Sequence, residues 1–205
     1  MEIPSEQMDN RLGARRGCRR VDFQVLSTTP VRAGVLWLAI SLLGLADAQP
    51  AFSRKVYPPF GFHWAEGKKE IAKAIDRAGA RIVDKSPIEG RDAWAIEGLV
   101  QPALQRTIVY FGRDKDLVEV ELQYQHSDWD LVAYEEFLNG ARQQLEARYG
   151  PATVLAKDKK PEGDVMQTVV GYEWKKQSGS IQLFFFSAER NHDVYRSVSL
   201  HYRAG

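Results

Sequence analysis

Apolar and polar residues alternate with a period of two over much of the chain after residue 80. That period is typical of β-strands with one face against a core. The pattern predicts eight strands, at 81–85, 92–100, 105–111, 117–125, 153–156, 166–175, 180–187 and 194–203. Two segments rich in Gly and charged residues, 112–116 and 175–179, are predicted hairpin turns.

Two stretches have helical spacing instead. In residues 66–78 the apolar side chains fall on one face, and Gly79 follows. The second helix begins after Asp128 or Asp130, either of which can cap it, and Gly150-Pro151 ends it. Its apolar stripe consists of Leu131, Tyr134, Leu138, Ala141, Leu145 and Tyr149.

Each half of the chain, 64–126 and 127–205, is therefore predicted to contain a helix, a glycine and four strands, in that order. This order predicts a single α+β domain over 64–205, in which two tandem α-β-β-β-β halves form one large antiparallel sheet with both helices on one face. Joining the halves edge to edge removes two open sheet edges. The repeated Arg-x-Gly ending of the helices, at 77–79 and 148–150, supports an internal repeat.

This order resembles the architecture of the β-lactamase-inhibitory-protein type, in which tandem helix-plus-four-strand halves build one curved antiparallel sheet. Trp64 before the first helix and the Leu145-x3-Tyr149-Gly150-Pro151 ending of the second accompany it. The resemblance covers roughly 64–203 and implies the architecture alone. The inhibitory proteins rely on disulfides and have two helices per half, whereas this chain has one clear helix per half and no cysteine after Cys18.

Residues 49–63 are predicted to form an extended arm, because Pro58-Pro59 is incompatible with a helix. Its aromatic rings either pack into the domain or form a docking strip.

The segment before the arm has the layout of a secretory signal peptide. Arg32 precedes an apolar run over 33–45, and Ala46-Asp47-Ala48 offers a small-x-small cleavage site. Residues 1–48 are therefore a predicted leader and signal peptide, cleaved near Ala48, which places the mature protein in the periplasm or outside the cell. An uncleaved membrane anchor and a buried core helix are the alternatives, and translation starts either at Met1 or near Val31.

Composition excludes several classes of partner and site. The leader contains 6 of the 28 Lys and Arg and 5 of the 27 Asp and Glu, which leaves 22 of each and no net charge in the mature part. Such a protein lacks the basic surface of a nucleic-acid-binding protein. Without a cysteine it has neither disulfides nor thiolate metal sites.

The sequence predicts no catalytic, cofactor-binding or metal-binding residues. No two of the four histidines, His63, His126, His192 and His201, have the spacing of a metal motif. Residues 125–128 (Gln-His-Ser-Asp) contain the residue types of a nucleophilic triad, but triad members normally come from separate elements.

One strand surface offers a candidate binding face. Side chains opposite the predicted helix-facing side combine aromatic and polar groups, as protein interfaces do; they are Val109, Phe111, Phe184, Phe186, Tyr195 and His201. Alternatively, the arm or a loop covers them. The sequence thus favours an exported, non-catalytic binding or envelope-assembly module whose partner is an envelope protein. The alternative is a periplasmic hydrolase or a carrier of a small apolar ligand. Membrane contact is expected only through an uncleaved leader, and neither the ligand nor the oligomeric state is predicted.

Overall fold

The computed structural model describes residues 52–205. The predicted leader, 1–48, and the first residues of the arm lie outside the described residues. The helices are α1 (Lys68–Arg77) and α2 (Leu131–Tyr149). The strands are β1 (Arg81–Asp84), β2 (Asp92–Glu97), β3 (Arg106–Phe111), β4 (Leu117–Tyr124), β5 (Thr153–Glu162), β6 (Val165–Lys176), β7 (Gly179–Arg190) and β8 (Asp193–Ala204). Neither described helix has the length and apolar composition of a membrane span.

All eight strands belong to one antiparallel sheet with the order β1-β2-β3-β4-β8-β7-β6-β5. The two sets of four strands meet at the centre, where β4 pairs with β8 in the register Leu122 opposite Leu200. The α+β class and the antiparallel sheet predicted from the sequence are therefore confirmed.

The helices end where the sequence indicates. Asp130 caps α2, because its Oδ1 atom accepts a hydrogen bond of 2.8 Å from the Ala133 amide. Gly79 and Gly150 follow the two helices with φ angles of 70° and 86°, in the left-handed region that glycine adopts without strain.

Alternate strand residues fall into two sets. One set belongs to the main apolar cluster, which also contains buried residues of both helices; we call these strand positions the core face. It includes Leu122 on β4, Leu183 on β7 and Leu200 on β8. The opposite positions, such as Phe184 and His201, form what we call the second face.

Two candidate residues on β3 lie on the face of the sheet opposite to the predicted one. Val109 and Phe111 are buried in the main cluster, with Val109 opposite Val120, so they lie on the core face. Every residue from Thr107 to Phe111 is buried, and the hydrophobic pattern of such a strand does not distinguish its faces. A register shift between Tyr110 and Phe111 adds an irregularity that no turn signal predicts.

The arm joins the core rather than the second face. Val56 and Phe62 are buried in the main cluster, whereas Phe52 and Tyr57 remain exposed. The Val56 amide donates to Ser178 Oγ at 2.8 Å, and the Trp64 indole donates to the Val56 carbonyl at 2.9 Å. The first of these bonds attaches the arm to the turn between β6 and β7.

Strand β5 is longer than predicted and forms one edge of the sheet. It continues through Pro161 to Glu162, so only a tight turn at Gly163 remains of the interval between the predicted strands 153–156 and 166–175. An edge strand tolerates proline because one side of its backbone needs no partner, and Lys157, Lys159 and Lys160 discourage pairing with other chains.

Candidate functional site

The second face carries an aromatic strip formed by Phe184, Phe186 and Tyr195. The first two are half-buried at alternate positions of β7, between fully buried core-face residues. Tyr195 on β8 is 46% exposed, and its ring centroid lies 6.0 Å from that of Phe186. Extended strands place such side chains on one surface, so the strip follows directly from the alternation.

Phe184 lies flat over β6 because its neighbour there is a glycine. Gly171 is the cross-strand partner of Phe184, and a Cβ atom at Gly171 would lie 2.6 Å from Phe184 Cε1. The Phe184 ring also lies close to the His201 ring, with centroids 5.8 Å apart and nearly perpendicular planes. Gly171 therefore creates the space that Phe184 occupies on the second face.

Next to the strip, the buried carboxylate of Glu119 contacts three cationic or hydrogen-bonding side chains. Glu119 on β4 is 3% exposed and receives hydrogen bonds from Arg91 at 2.5 Å and from Nδ1 of His201 at 2.9 Å. Arg203 on β8 donates from Nη2 to Glu119 Oε1 at 3.3 Å. Glu119 and Arg203 are direct cross-strand partners, so pairing of β4 with β8 builds the cluster.

The partners of Glu119 keep it ionised. Burial raises the pKa of its carboxyl, but hydrogen bonds from His201 and Arg91 and the nearby charge of Arg203 outweigh burial and lower the pKa from 4.5 to about 2. At neutral pH this carboxylate has no proton to donate, and its lone pairs are shared among donors.

A second carboxylate lies two residues further along the same strand. Glu121 accepts hydrogen bonds from the Tyr110 hydroxyl at 2.6 Å and from Gln123 at 2.8 Å. Burial and the bond to Glu121 raise the pKa of Tyr110 above its ordinary value of 10. The Arg91 guanidinium stacks over the Tyr110 ring at 4.1 Å, which links the two carboxylates into one network. We call the network of Arg91, Tyr110, Glu119, Glu121, His201 and Arg203 the ionic cluster.

His201 connects the ionic cluster to a hydroxyl group, because its Nδ1 atom contacts Glu119 at 2.9 Å and its Nε2 atom lies 3.0 Å from Ser199 Oγ. The carboxylates of the cluster face arginines, a phenol and an amide, all of which donate to them. A pocket of about 210 Å³ lies beside it, lined by Glu121, Tyr195 and Ser199 among others. Aromatic rings and fixed guanidinium groups on one surface are features of a recognition site.

Four of the six candidate residues lie on the second face: Phe184, Phe186, Tyr195 and His201. Val109 and Phe111 do not, as the fold of β3 shows. Sequence reasoning did not select Glu119, Tyr110 or Arg91. Glutamates at successive outward positions of an otherwise apolar strand were a usable signal for Glu119, but Arg91 lies before β2 and nothing in the pattern indicated its approach.

The segment with triad residue types does not form a triad through His126. Its Nε2 atom lies 2.7 Å from the Ala103 carbonyl and therefore donates to it, while its ring stacks on Trp129 at 4.3 Å. Within residues 52–205 no group of three or more His, Cys, Asp or Glu side chains is placed to hold a metal ion.

Comparison with protein-family models, curated proteins and solved structures found no match to this chain. The candidate site therefore rests on its own geometry.

Proposed function

We propose that the chain is an exported, non-catalytic binding module that receives a protein of the cell envelope on its second face. The observation that carries this proposal is the strip of Phe184, Phe186 and Tyr195 beside the ionic cluster. Its rings are partly accessible although the core-face residues between them are fully buried.

The composition of the strip favours a protein partner. Aromatic residues and arginine are enriched in protein interfaces, where rings supply apolar contact area and guanidinium groups supply directional hydrogen bonds. Arg91 and Arg203 keep side-chain exposures of 35% and 40% while bound to Glu119. Each can therefore donate to carbonyls or carboxylates of a partner without leaving its present position.

The proposal includes two features of the architecture. Both helices cover the core face and leave the second face free, and the halves 64–126 and 127–205 are tandem repeats. Support comes from the main apolar cluster, which contains Ile71 and Ile75 of α1 together with Tyr134 and Leu138 of α2. It also comes from the order of the sheet, in which each half contributes four neighbouring strands.

The proposed location is the periplasm or cell exterior, after cleavage near Ala48. Mass spectrometry of the N-terminus of the protein from its host tests this. We expect a mature chain that begins near Gln49. A chain that retains residues 1–48 in the cytoplasm would contradict export.

Photo-crosslinking tests the binding face. A benzoylphenylalanine residue is placed at Phe186 or Tyr195, and as a control at Val132, an α2 residue that is 58% exposed. In the intact host envelope, the two second-face positions are expected to crosslink one common protein that Val132 does not reach. Equal crosslinking from Val132, or none from the second face, would contradict the proposal.

A further inference from the structure

The core side of the molecule contains a groove that the proposed binding face does not use. It has a volume of about 540 Å³ and lies between α2, the segment after β2 and the central strands. Its half-buried lining residues are Tyr202 on the sheet and Phe137 and Ala141 on α2, whereas Leu183 and Leu200 beneath them are buried. A volume of this size lies within the roughly 300–1,000 Å³ range of small-molecule sites.

The groove exists because α2 has small residues where it passes the central strands. Gly140 and Ala141 line it, and a Cβ atom built on Gly140 has no neighbour within 4 Å. Glycine lowers helix stability by about 1 kcal/mol relative to alanine. The open space thus lies at a helix position where almost any residue other than glycine would stabilise the helix more.

The polar groups of the groove are positive or neutral. Arg148 near the end of α2 is the only charged residue among those that line it. Phenol side chains lie close to it, and the Arg148 guanidinium is 5.3 Å from the Tyr149 ring. Burial raises the pKa of both Tyr149 and Tyr202, and the positive charge of Arg148 opposes that rise. On the opposite wall, Gln101 donates to the Tyr124 hydroxyl at 2.5 Å.

We propose that this groove binds a free fatty acid, with its alkyl chain against Phe137, Ala141 and Tyr202 and its carboxylate on Arg148. The apolar lining fits an alkyl chain, because burial of each methylene contributes about 0.8 kcal/mol. A carboxylate is the complementary head group, since a guanidinium binds it through two parallel hydrogen bonds and no acidic lining residue repels it. This site is separate from the second face and does not depend on the function proposed there.

Isothermal titration calorimetry of the purified full chain with sodium decanoate tests the proposal. Wild-type protein is expected to bind decanoate saturably at one site. Arg148→Gln is expected to weaken binding about tenfold or more, because a hydrogen bond to a charged group contributes about 1.5–3 kcal/mol. Arg113→Gln, in the turn between β3 and β4, is the matched control and is expected to bind as wild type does. The uncharged analogue 1-decanol is expected to bind about tenfold more weakly than decanoate.

Two substitutions of one residue separate loss of the groove from loss of the fold. Gly140→Leu fills the groove and is expected to abolish binding while its melting temperature stays at or above that of the wild type. Gly140→Ala adds only a methyl group and is expected to retain binding. No saturable decanoate binding by the wild type, equal binding of 1-decanol, or undiminished binding by Arg148→Gln or Gly140→Leu would each overturn the proposal.

Discussion

At the scale of single residues, the lowered pKa of the Glu119 carboxyl has the clearest effect on stability. This carboxyl is ionised in the folded protein down to a pH of about 2, whereas in the unfolded chain it titrates near 4.5. A lowered folded-state pKa adds stability above the unfolded pKa, and this stability is lost as the pH falls through the folded pKa. The contribution is therefore complete above a pH of about 4.5 and disappears between about 4.5 and about 2.

We expect Glu119→Gln to lower the free energy of unfolding by about 2–3 kcal/mol at neutral pH. The loss lies below the 3–5 kcal/mol that is typical of a broken buried ion pair, because Arg91 and Arg203 can turn towards water. Urea denaturation measures it, with Glu136→Gln on the exposed side of α2 as a control expected to stay within about 0.5 kcal/mol.

The pH dependence gives a second readout of the same pair of proteins. Wild-type stability is expected to fall more steeply than that of Glu119→Gln between pH 4.5 and 2. Parallel curves for the two proteins would show that Glu119 has an ordinary pKa and that the ionic cluster is weak.

Gly171 and Phe184 form a pair whose coupling can be measured. Gly171→Ala pushes a methyl group into the Phe184 ring and is expected to destabilise the protein by about 1–3 kcal/mol. In Gly171→Ala, Phe184→Ser the clash is absent, so the two effects are expected to be non-additive by at least about 0.5 kcal/mol. Gly140→Ala, where the new methyl group meets open space, serves as the control and is expected to be stabilising. Additive effects of the Gly171 and Phe184 changes would mean that the ring does not rest on Gly171.

At the scale of elements, β7 separates the two faces most clearly. Leu183→Ser removes a fully buried core-face side chain, and we expect a loss of about 3–5 kcal/mol. Phe184→Ser and Phe186→Ser each remove a half-buried ring, and we expect about 1–2 kcal/mol for each. Thermal melts compare the single variants. If either phenylalanine proves as costly as Leu183, both faces of β7 belong to a core and the binding strip is abandoned.

Most elements could be predicted from periodicity because their physical causes are local. The stripe of α2, its Asp130 cap and its Gly150 stop lie within the helix or directly beside it. Strand β7 alternates cleanly, since the residues on one of its faces are buried and those on the other are half-buried. Strand β3 could not be assigned a face, because both of its faces are buried and its register depends on an irregularity opposite Leu117.

Long-range pairing explains why the site was only partly predicted. Phe184, Phe186 and His201 followed from alternation on β7 and β8. The ionic cluster required the pairing of Glu119 with Arg203, which are 84 residues apart, and the approach of Arg91 from a loop. No sequence pattern within either half specifies those contacts.

At the scale of the whole molecule, we propose different tasks for the two sides of one sheet. The main apolar cluster on the core face contains buried residues of both helices, and the second face carries aromatic rings beside the ionic cluster. The arm adds Val56 and Phe62 to the core. This division predicts that binding of a protein partner and binding of a fatty acid are separable by substitution.

Protein binding by the second face is tested by measuring the affinity of the crosslinked partner for defined variants. Biolayer interferometry would compare the wild type with the double variant Phe184→Ser, Phe186→Ser and with the α2 control Val132→Ser, each first shown to be folded by circular dichroism. Hot-spot residues of an interface contribute about 2 kcal/mol or more, so the double variant is expected to bind at least about tenfold more weakly. The control is expected to bind as the wild type does. Unchanged affinity of the folded double variant would contradict protein binding by the second face.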